Sequence, residues 1–388
     1  MSWEKVKLGE ISFCIQPGPF GSQLHNSDYA DEGTPIIMPK DMVDGHIRHT
    51  GLIRVPEEHV ARLQRHQVCA GNLMVARKGD VRKCVYITEN ENGWLTGSDC
   101  LKVALNENVC FPKYIYYQLR SPYIGRWLEQ ISIGATMPSI NTGLLSGIEM
   151  YLPSLEIQRR IADILSAYDD LIENNRKQIK LLEEAAQRLY KEWFVDLRFP
   201  GHEHTKIMDG VPEGWGRASV GSLIGKVART KQIPTSEYLS NGKIPVIDQS
   251  REFIAGYTND VQAIVKSEVP IIVFGDHTRI LKLIQFPFAK GADGTQLIIS
   301  ASERMPQRLL YCSLMNIDLS NYHYARHFKY LKAEIILLPL KGIADDFEKI
   351  TDPIFKKIQS CRDQCCWGQE ARDRLLPKLM NGEIELKK

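Results

Sequence analysis

The sequence predicts an α+β protein in which two mixed α/β domains are separated by two long antiparallel helices that form a coiled coil, with a pseudo-two-fold internal repeat. Three observations predict this class. The 388 residues are enough for about two ordinary domains. Hydrophobic residues make up 43% of the chain, which is ample for packed cores. Short patterns of the first half recur in the second half, and a missed repeat would misassign the whole architecture.

The repeat is visible as matching patterns that occur in the same order in both halves. Trp3 recurs as Trp215, at an offset of 212, and the apolar run 34–37 recurs as 244–247, at an offset of 210. From residue 153 onward the offset settles at 186. Because the offset falls along the chain, we expect the second copy to be the first with loop residues removed.

The repeat divides the chain into four predicted segments. They are a first domain at 1–153, a first long spacer helix at 154–200, a second domain at 201–344 with a linker at 201–211, and a second spacer helix with a C-terminal tail at 345–388.

The first long helix carries apolar residues at alternating steps of four and three. This predicted seam consists of Ile161, Leu165, Tyr168, Ile172, Asn175, Ile179, Leu182, Ala186, Leu189 and Trp193. A heptad pattern kept over more than four repeats favours a coiled coil over an ordinary amphipathic helix. The polar Asn175 either fixes the register of the pairing or faces solvent at a bend in the helix.

The second long helix has a weaker seam. Its clearest apolar members are Ile354, Ile358 and Leu375. Gly368 and Arg372 interrupt the pattern. Pro353 after an aspartate predicts a helix start and Pro377 an end, so the main helix is expected at 353–376, roughly 36 Å long. We expect the two seams to pack against each other; pairing of each seam with a second copy of the chain is the alternative.

Sequence signatures of catalysis are missing. The chain has no P-loop, no G-x-G-x-x-G, no G-x-S-x-G, no H-E-x-x-H and no Asn/Asp-Pro-Pro-aromatic tetrapeptide of the amino-methyltransferases. We therefore expect no catalytic residue and no bound cofactor in this chain.

Cysteine usage and hydropathy indicate the compartment. The nine cysteines are scattered and include no C-x-x-C pair, so neither a disulfide framework nor a metal site is predicted. No signal-peptide core is present, and no apolar run approaches the roughly 20 residues of a membrane span. The expectation is a cytoplasmic protein without contact to a membrane.

Basic residues are concentrated locally although the net charge is only +2. Residues 217–290 hold 10 basic and 6 acidic side chains, and a basic cluster at 77–83 follows an apolar strand of the first domain. Loops beside such strands can reach a phosphate backbone and base edges. The predicted DNA-binding residues are Lys40, Arg77, Lys78, Arg82, Lys83, Thr136, Arg229, Lys231, His277, Arg279 and Lys282. For each of them, ordinary solvated surface charge is the alternative.

Several longer strings resemble one known family, the DNA-specificity subunit of type I restriction-modification systems. These strings are GPFGS at 18–22, GNLMVARKG at 71–79, GATMPSIN at 134–141, GDHTR at 275–279, GADGT at 291–295, YARHF at 324–328 and RDRLLPKLMNGEI at 372–384. The resemblance covers nearly the whole chain in the right order.

The resemblance implies a non-catalytic subunit whose two target-recognition domains each read one half of a bipartite, asymmetric site in double-stranded DNA. It implies that the helices space the halves and dock two methylation subunits, which carry S-adenosylmethionine, and that restriction/translocase subunits using ATP and Mg²⁺ join them. If the 36 Å helix separates the domains, the half-sites should lie about one helical turn apart, near 34 Å.

Two other classes stay open at this point. One is a protein-protein scaffold whose two heads bind peptides on a coiled-coil rod, which predicts no salt-sensitive DNA binding. The other is a stand-alone nuclease or methyltransferase with divergent motifs, which predicts DNA modification by the purified chain alone.

Overall fold

Two compact units make up the computed structural model, which describes residues 3–132, 138–266, 270–291, 294–322, 326–384 and 386. Unit 1 comprises Met1–Glu173 with Cys365–Lys388, and unit 2 comprises Asn174–Gln364. The unit boundaries fall inside the two long helices, so each unit contains one domain and part of both helices.

Unit 1 is built from short strands and helices. Its strands are β1 (Glu4–Lys7), β2 (Ser12–Pro17), β3 (Thr34–Ile37), β4 (Met42–Val43), β5 (His46–Ile47), β6 (Ile53–Val55), β7 (Leu73–Ala76), β8 (Cys84–Tyr86), β9 (Leu95–Thr96), β10 (Cys100–Leu105) and β11 (Glu149–Leu152). Its helices are α1 (Glu57–Val60), α2 (Pro112–Leu119), α3 (Pro122–Ile131), α4 (Thr142–Ser146) and the first part of α5 (Leu155–Tyr190).

The central sheet of unit 1 has the strand order β2-β10-β7-β8. Every residue of β7 is buried, because alternate residues enter different cores. Leu73 and Val75 pack into the main core beneath the helices, whereas Met74 and Ala76 pack into a second core. A strand covered on both faces needs a continuous apolar run, which is what the sequence supplies.

Unit 2 has a similar inventory of elements. Its strands are β12 (Ile207–Met208), β13 (Val211–Pro212), β14 (Gly216–Ser219), β15 (Ile244–Ile247), β16 (Gly256–Thr258), β17 (Ile271–Gly275), β18 (Leu281–Ile284), β19 (Ala289–Lys290), β20 (Thr295–Ile298) and β21 (Ile335–Leu338). Its helices are the second part of α5, α6 (Val220–Leu223), α7 (Gln307–Met315), α8 (His327–Ala333) and most of α9 (Lys341–Met380).

The internal repeat is confirmed by strand pairing. In unit 1, β3 pairs antiparallel with β6 and parallel with β9; in unit 2, β15 pairs antiparallel with β16 and parallel with β19. The central strand β17 repeats β7, since it lies between β18 and β20 and alternates between two cores. Where β2 forms an edge strand in unit 1, the described residues of unit 2 show one isolated bridge, between Ile224 and Ser300.

The long helices pack antiparallel in each unit, as predicted. In unit 1, Asp169 of α5 pairs with Arg372 of α9 at 2.6 Å, and Ile172 lies beside Cys365. In unit 2, Glu183 pairs with Arg362 at 2.6 Å. Farther along unit 2, the rings of Trp193 and Phe347 lie 5.9 Å apart, so contacts run up α5 as they run down α9.

The predicted bounds of the second helix, 353–376, are wrong. Helix α9 runs unbroken over 40 residues, about 60 Å, and includes both Pro353 and Pro377. An internal proline costs about 3 kcal/mol. Here Phe347 and Phe355, one on each side of Pro353, are both buried in the core of unit 2, which stabilises the helix across the proline. The expected helix length of roughly 36 Å is therefore too short. The half-site spacing of about 34 Å is derived from that length and loses this basis.

Arg308 also bridges this proline-containing turn. Its guanidinium contacts Glu348 at 2.7 Å and Asp352 at 2.6 Å. These two carboxylates lie one helical turn apart, so a single side chain of α7 holds the turn that precedes Pro353.

The two interruptions of the second seam have structural roles in unit 1. A Cβ on Gly368 would lie 3.2 Å from Ile172 Cγ1, so the glycine permits close approach of the helices. Arg372 binds the buried carboxylate of Asp169, whose second oxygen accepts a hydrogen bond of 2.7 Å from Tyr117. The seam is therefore not weakened here; a small residue and an ion pair replace apolar contacts.

The remaining predicted seam residues differ in burial. Ile161, Leu165, Ile172, Asn175, Ala186, Trp193 and Ile358 are buried, whereas Tyr168, Ile179, Leu182, Leu189, Ile354 and Leu375 are half-buried. Asn175 is 2% exposed, and its Nδ2 has no hydrogen-bond partner among the described residues. None of the helices in the described part of the chain is long and apolar enough to cross a membrane.

Candidate nucleic-acid interface

Each unit presents one loop at the end of its buried central strand. The loop of unit 1 spans residues 77–83, between β7 and β8, and the loop of unit 2 spans 276–280, between β17 and β18. The two loops occupy corresponding places because both strand pairs are antiparallel hairpins within the repeated sheet. Side chains of such loops project from a rigid support, which suits recognition.

Arg77 and Lys78 begin the loop of unit 1. The guanidinium of Arg77 lies over the ring of Phe20, 5.8 Å from its centre, and Lys78 pairs with Asp99 at 3.0 Å. Phe20 is 55% exposed, so its ring is open to a further planar group. No local pattern in the sequence predicts this pairing, because 57 residues separate Phe20 from Arg77. Aromatic and Arg faces of this kind can stack on bases.

The far end of the same loop lines a cleft of about 640 Å³. Arg82 contacts Asp80 at 3.0 Å and Glu129 at 3.2 Å, and the hydrogen bond to Asp80 raises the pKa of Arg82. Two further arginines, Arg120 and Arg126, line the cleft. They come from the helical part of the domain, so their position could not be derived from the loop sequence.

Lys83, the last residue of the loop, contacts the turn that follows β3, and Lys40 belongs to that turn. Lys83 is half-buried, and its ammonium donates to the carbonyl of Pro39 at 3.1 Å. Lys40, the next residue of that turn, is exposed. Of the two, Lys40 is the one whose side chain is directed to solvent.

The loop of unit 2 is a tight turn. His277 is exposed, and its backbone N–H donates to Gln249 Oε1 at 3.1 Å. Arg279 is exposed in the left-handed region, with φ +61°, and its guanidinium donates to the carbonyl of Leu319 at 2.8 Å. Asp276 is buried and accepts the backbone N–H of Phe328 at 2.8 Å, so this carboxylate stabilises the start of α8.

Lys282 has a different environment from the other predicted DNA-binding residues. It is 5% exposed, and its ammonium donates to the carbonyls of Asp248, at 2.9 Å, and Glu252. Burial lowers the pKa of Lys282 to about 8. A phosphate contact would require this side chain to leave both carbonyls.

The other predicted residues lie apart from these loops in the chain. Arg229 is exposed, and Lys231 pairs with Asp260 at 2.8 Å, which raises the pKa of Lys231. Thr136 lies outside the described residues. Within the described ranges, no group of three or more His, Cys, Asp or Glu side chains is placed to hold a metal ion.

The comparisons with known proteins agree with one another. The model of the type I restriction modification DNA specificity domain matches residues 2–184. The type I restriction enzyme MjaIX specificity subunit of Methanocaldococcus jannaschii is 26% identical over 412 aligned positions, which cover 99% of this chain and 94% of that protein. The HindI specificity subunit of Haemophilus influenzae is 28% identical over 198 positions, which cover 50% of this chain and 41% of that protein.

A similar fold has been solved. The crystal structure of the type I restriction-modification S subunit from M. genitalium matches with a TM-score of 0.64 at 16% identity, and the match covers 100% of this chain and 97% of that one. The family model matches the first copy of the repeat, the sequence relative extends along both copies, and the solved structure has the same fold. The chain therefore resembles the type I restriction-modification DNA specificity subunits, in sequence along its whole length and in fold.

Proposed function

We propose that this chain selects the DNA site of a type I restriction-modification enzyme, with each unit reading one half of a bipartite, asymmetric sequence. The observation that carries the proposal is the repeated hairpin loop at the end of the buried strands β7 and β17. Both loops display basic side chains, namely Arg77 and Lys78 in unit 1 and His277 and Arg279 in unit 2. Phosphate contacts would position each unit on the duplex, and contacts to base edges would set the sequence.

The long helices serve as the spacer and as the docking surface for two methylation subunits. In unit 1, Leu171 and Trp367 are exposed, and each immediately precedes a seam residue of the Ile172–Gly368 contact. Positions that precede facing seam residues lie on the same side of an antiparallel pair. Trp367 is 66% exposed, which is unusual for a tryptophan and typical of an interface residue.

The helices of unit 2 also carry exposed apolar side chains. Leu181 precedes the seam residue Leu182, and Ile350 precedes the buried Thr351. Both apolar side chains are exposed. Exposed apolar side chains on the helices of each unit are expected if each unit docks one methylation subunit.

In this proposal the chemistry belongs to other chains. The methylation subunits carry S-adenosylmethionine, the restriction/translocase subunits use ATP and Mg²⁺, and this chain binds DNA in the cytoplasm without a cofactor of its own. The absence of nucleotide-binding and methyltransferase signatures from the sequence supports this division of labour.

The test is to produce the chain together with its methylation subunit and to map adenine methylation across the genome. A two-part motif is expected. Replacing residues 212–340 with those of a relative should change one half of the motif and leave the other. Methylation at a continuous motif, or a replacement that changes both halves, would contradict the proposal.

Two further measurements separate the alternatives. A DNA reader should lose affinity steeply as salt rises, whereas a peptide-binding scaffold should show no salt-dependent binding to DNA. Trp367→Ala is expected to weaken the association with the methylation subunit, whereas Trp3→Ala, which removes a tryptophan far from the exposed helix face in the sequence, should affect folding of unit 1 instead. Equal loss of association in both variants would argue against the helix face as the docking surface.

A further inference from the structure

A buried lysine binds the backbone of the turn that follows β15 in unit 2. Lys282 of β18 donates from Nζ to the carbonyl of Asp248 at 2.9 Å and to the carbonyl of Glu252. These carbonyls lie on the two sides of Gln249. The lysine therefore fixes the backbone on both sides of one side chain.

Gln249 is in turn bound to the loop 276–280. Its side-chain Oε1 accepts the N–H of His277 at 3.1 Å, and its carbonyl accepts the hydroxyl of Thr278 at 2.6 Å. The fit is close, since a Cβ added to Gly294 would lie 2.5 Å from Gln249 Nε2. Lys282 thus holds the backbone next to Gln249, and Gln249 in turn binds the two residues at the tip of the loop.

The same turn is anchored at its other end to the helix pair. The guanidinium of Arg362 lies 3.9 Å from the centre of the Phe253 ring, and it also binds Glu183 at 2.6 Å. The turn at 248–253 is therefore fixed between the long helices of unit 2 and the loop 276–280.

In unit 1 a lysine also binds a backbone carbonyl of the turn that follows the corresponding strand, but this lysine lies at a different position of the repeat. Lys83 donates from Nζ to the carbonyl of Pro39, in the turn that follows β3. By strand register, however, Val85 and not Lys83 occupies the place of Lys282, because Met74 pairs with Val85 as Val273 pairs with Lys282, and Met74 and Val273 both face the second core of their unit. Different positions of the repeat thus supply the same ammonium-to-carbonyl contact, so the contact is not a simple copy of one ancestral residue.

We propose that Lys282 in unit 2 and Lys83 in unit 1 are positioning residues for DNA reading: Lys282 holds the turn that supports the loop 276–280, Lys83 ties its own loop to the turn after β3, and neither contacts DNA. This inference rests on the proposed function. It reassigns two basic residues that the sequence pattern favours as phosphate contacts, because both ammonium groups already bind protein carbonyls.

The two roles have different signatures in binding. Removing a phosphate contact weakens binding to all sequences about equally and lowers the slope of log affinity against log salt by about one. Removing a positioning residue leaves the slope unchanged, because no counterion is displaced, and reduces the discrimination between correct and altered sequences.

The experiment uses the full chain in complex with its methylation subunit and a duplex carrying the mapped motif. Affinities are measured over a range of salt for this duplex and for duplexes with one base pair changed in either half. Lys282→Met should lower discrimination about tenfold in the half read by unit 2, the size of one good base contact, and leave the other half unchanged. Lys83→Met should do the reverse.

Three variants serve as controls. Lys282→Arg keeps a cation with several donors and should restore part of the discrimination. Lys206→Met removes an exposed lysine of unit 2 that lies outside both loops, and it should change neither discrimination nor motif. If Lys282→Met does not fold, Gln249→Ala decides, since it removes the acceptor for His277 while the buried ammonium keeps its carbonyls.

Uniform weakening with a salt slope lowered by about one would overturn the proposal in favour of a phosphate contact. Unchanged discrimination in both Lys282→Met and Gln249→Ala would also overturn it. Failure of the proposed function looks different, because the unaltered complex would then show no two-part methylation motif and no salt-dependent DNA binding.

Discussion

The two units share their strand pairing but hold their loops differently. In unit 1, Lys78 and Arg82 pair with acidic neighbours at the surface. In unit 2 the loop is shorter, and its shape depends on Gln249 above a buried lysine. The buried strands must repeat because an apolar run is what a strand covered on both faces requires. The loops are free to diverge, since changing them leaves the cores intact.

The helix pair shows a second contrast between the units. Asp169 and Arg372 in unit 1 are both buried or nearly so, and Asp169 also accepts the hydroxyl of Tyr117. Glu183 in unit 2 is 41% exposed, and its partner Arg362 also stacks on Phe253. Arg372 has a second carboxylate partner in Asp373, at 2.8 Å, but Asp373 is 64% exposed, so the buried contact of the first arginine is the one to Asp169. The second arginine has the Phe253 ring as a further contact.

The largest effect is therefore expected from the ion pair of unit 1. Asp169→Ala should lower the free energy of unfolding by up to about 3–5 kcal/mol, because it removes the buried carboxylate that binds Arg372 and Tyr117 and leaves Arg372 with the largely exposed Asp373. Glu183→Ala should cost about 1 kcal/mol or less, because Glu183 is partly exposed and Arg362 keeps the Phe253 ring. Urea titration of the full-length variants measures both.

Asp169→Asn is the matched control, since it keeps the size and the acceptor oxygen and removes the charge. The free energy of unfolding of Asp169→Asn should lie between those of the unaltered protein and of Asp169→Ala. Equal costs for Asp169→Ala and Glu183→Ala would show that the burial of the carboxylate does not set the difference between the units.

Patterns that depend on local periodicity could be predicted from the sequence. The repeat, the antiparallel helix pair and the buried central strands all follow from apolar residues at fixed spacing, and that spacing is preserved in the fold. Trp3 and Trp215, the first matched pair, do precede the corresponding strands β1 and β14. Such features can be predicted without knowing which residues that are distant in the sequence contact one another.

Features that depend on tertiary contacts could not be predicted. Pro353 was a reasonable helix start by local rules, but Phe347 and Phe355 bury on both sides of it and keep α9 continuous. The local sequence favours Lys282 as an exposed phosphate contact, but the side chain is buried and its ammonium binds two carbonyls about 30 residues away. In both cases the decisive partner is distant in the sequence.

The second prediction uses this buried lysine, whose place in the sheet of unit 1 is taken by the uncharged Val85. Burial lowers the pKa of Lys282 from 10.5 to about 8, although the nearby carboxylates of Asp248 and Glu252 oppose this. Between these two pH values the unfolded chain binds the proton and the folded chain does not, so stability rises with pH.

Lys282→Met should abolish this rise. The stability of the unaltered protein relative to the variant is expected to increase by on the order of 2–3 kcal/mol between pH 8 and pH 10.5. Urea titrations of both proteins across that range provide the measurement, and the subtraction removes the titration of other groups. A difference that is flat with pH would mean that Lys282 keeps its proton in the folded state.

The smallest expected effect compares two glycines of α9. Gly368 belongs to unit 1, where a Cβ would lie 3.2 Å from Ile172 Cγ1, whereas Gly342 belongs to unit 2 and a Cβ there would have no atom within 4 Å. Alanine favours a helix over glycine by up to about 1 kcal/mol. Gly342→Ala should therefore stabilise the protein by a few tenths of a kcal/mol to about 1 kcal/mol, with the lower values expected because Gly342 lies in the first turn of the helix.

Gly368→Ala should not increase the stability, because the same helix preference is offset by the crowded contact with Ile172. Thermal unfolding of the two variants side by side tests this, and an equal gain in both would show that the helices of unit 1 can separate by a few tenths of an ångström without cost.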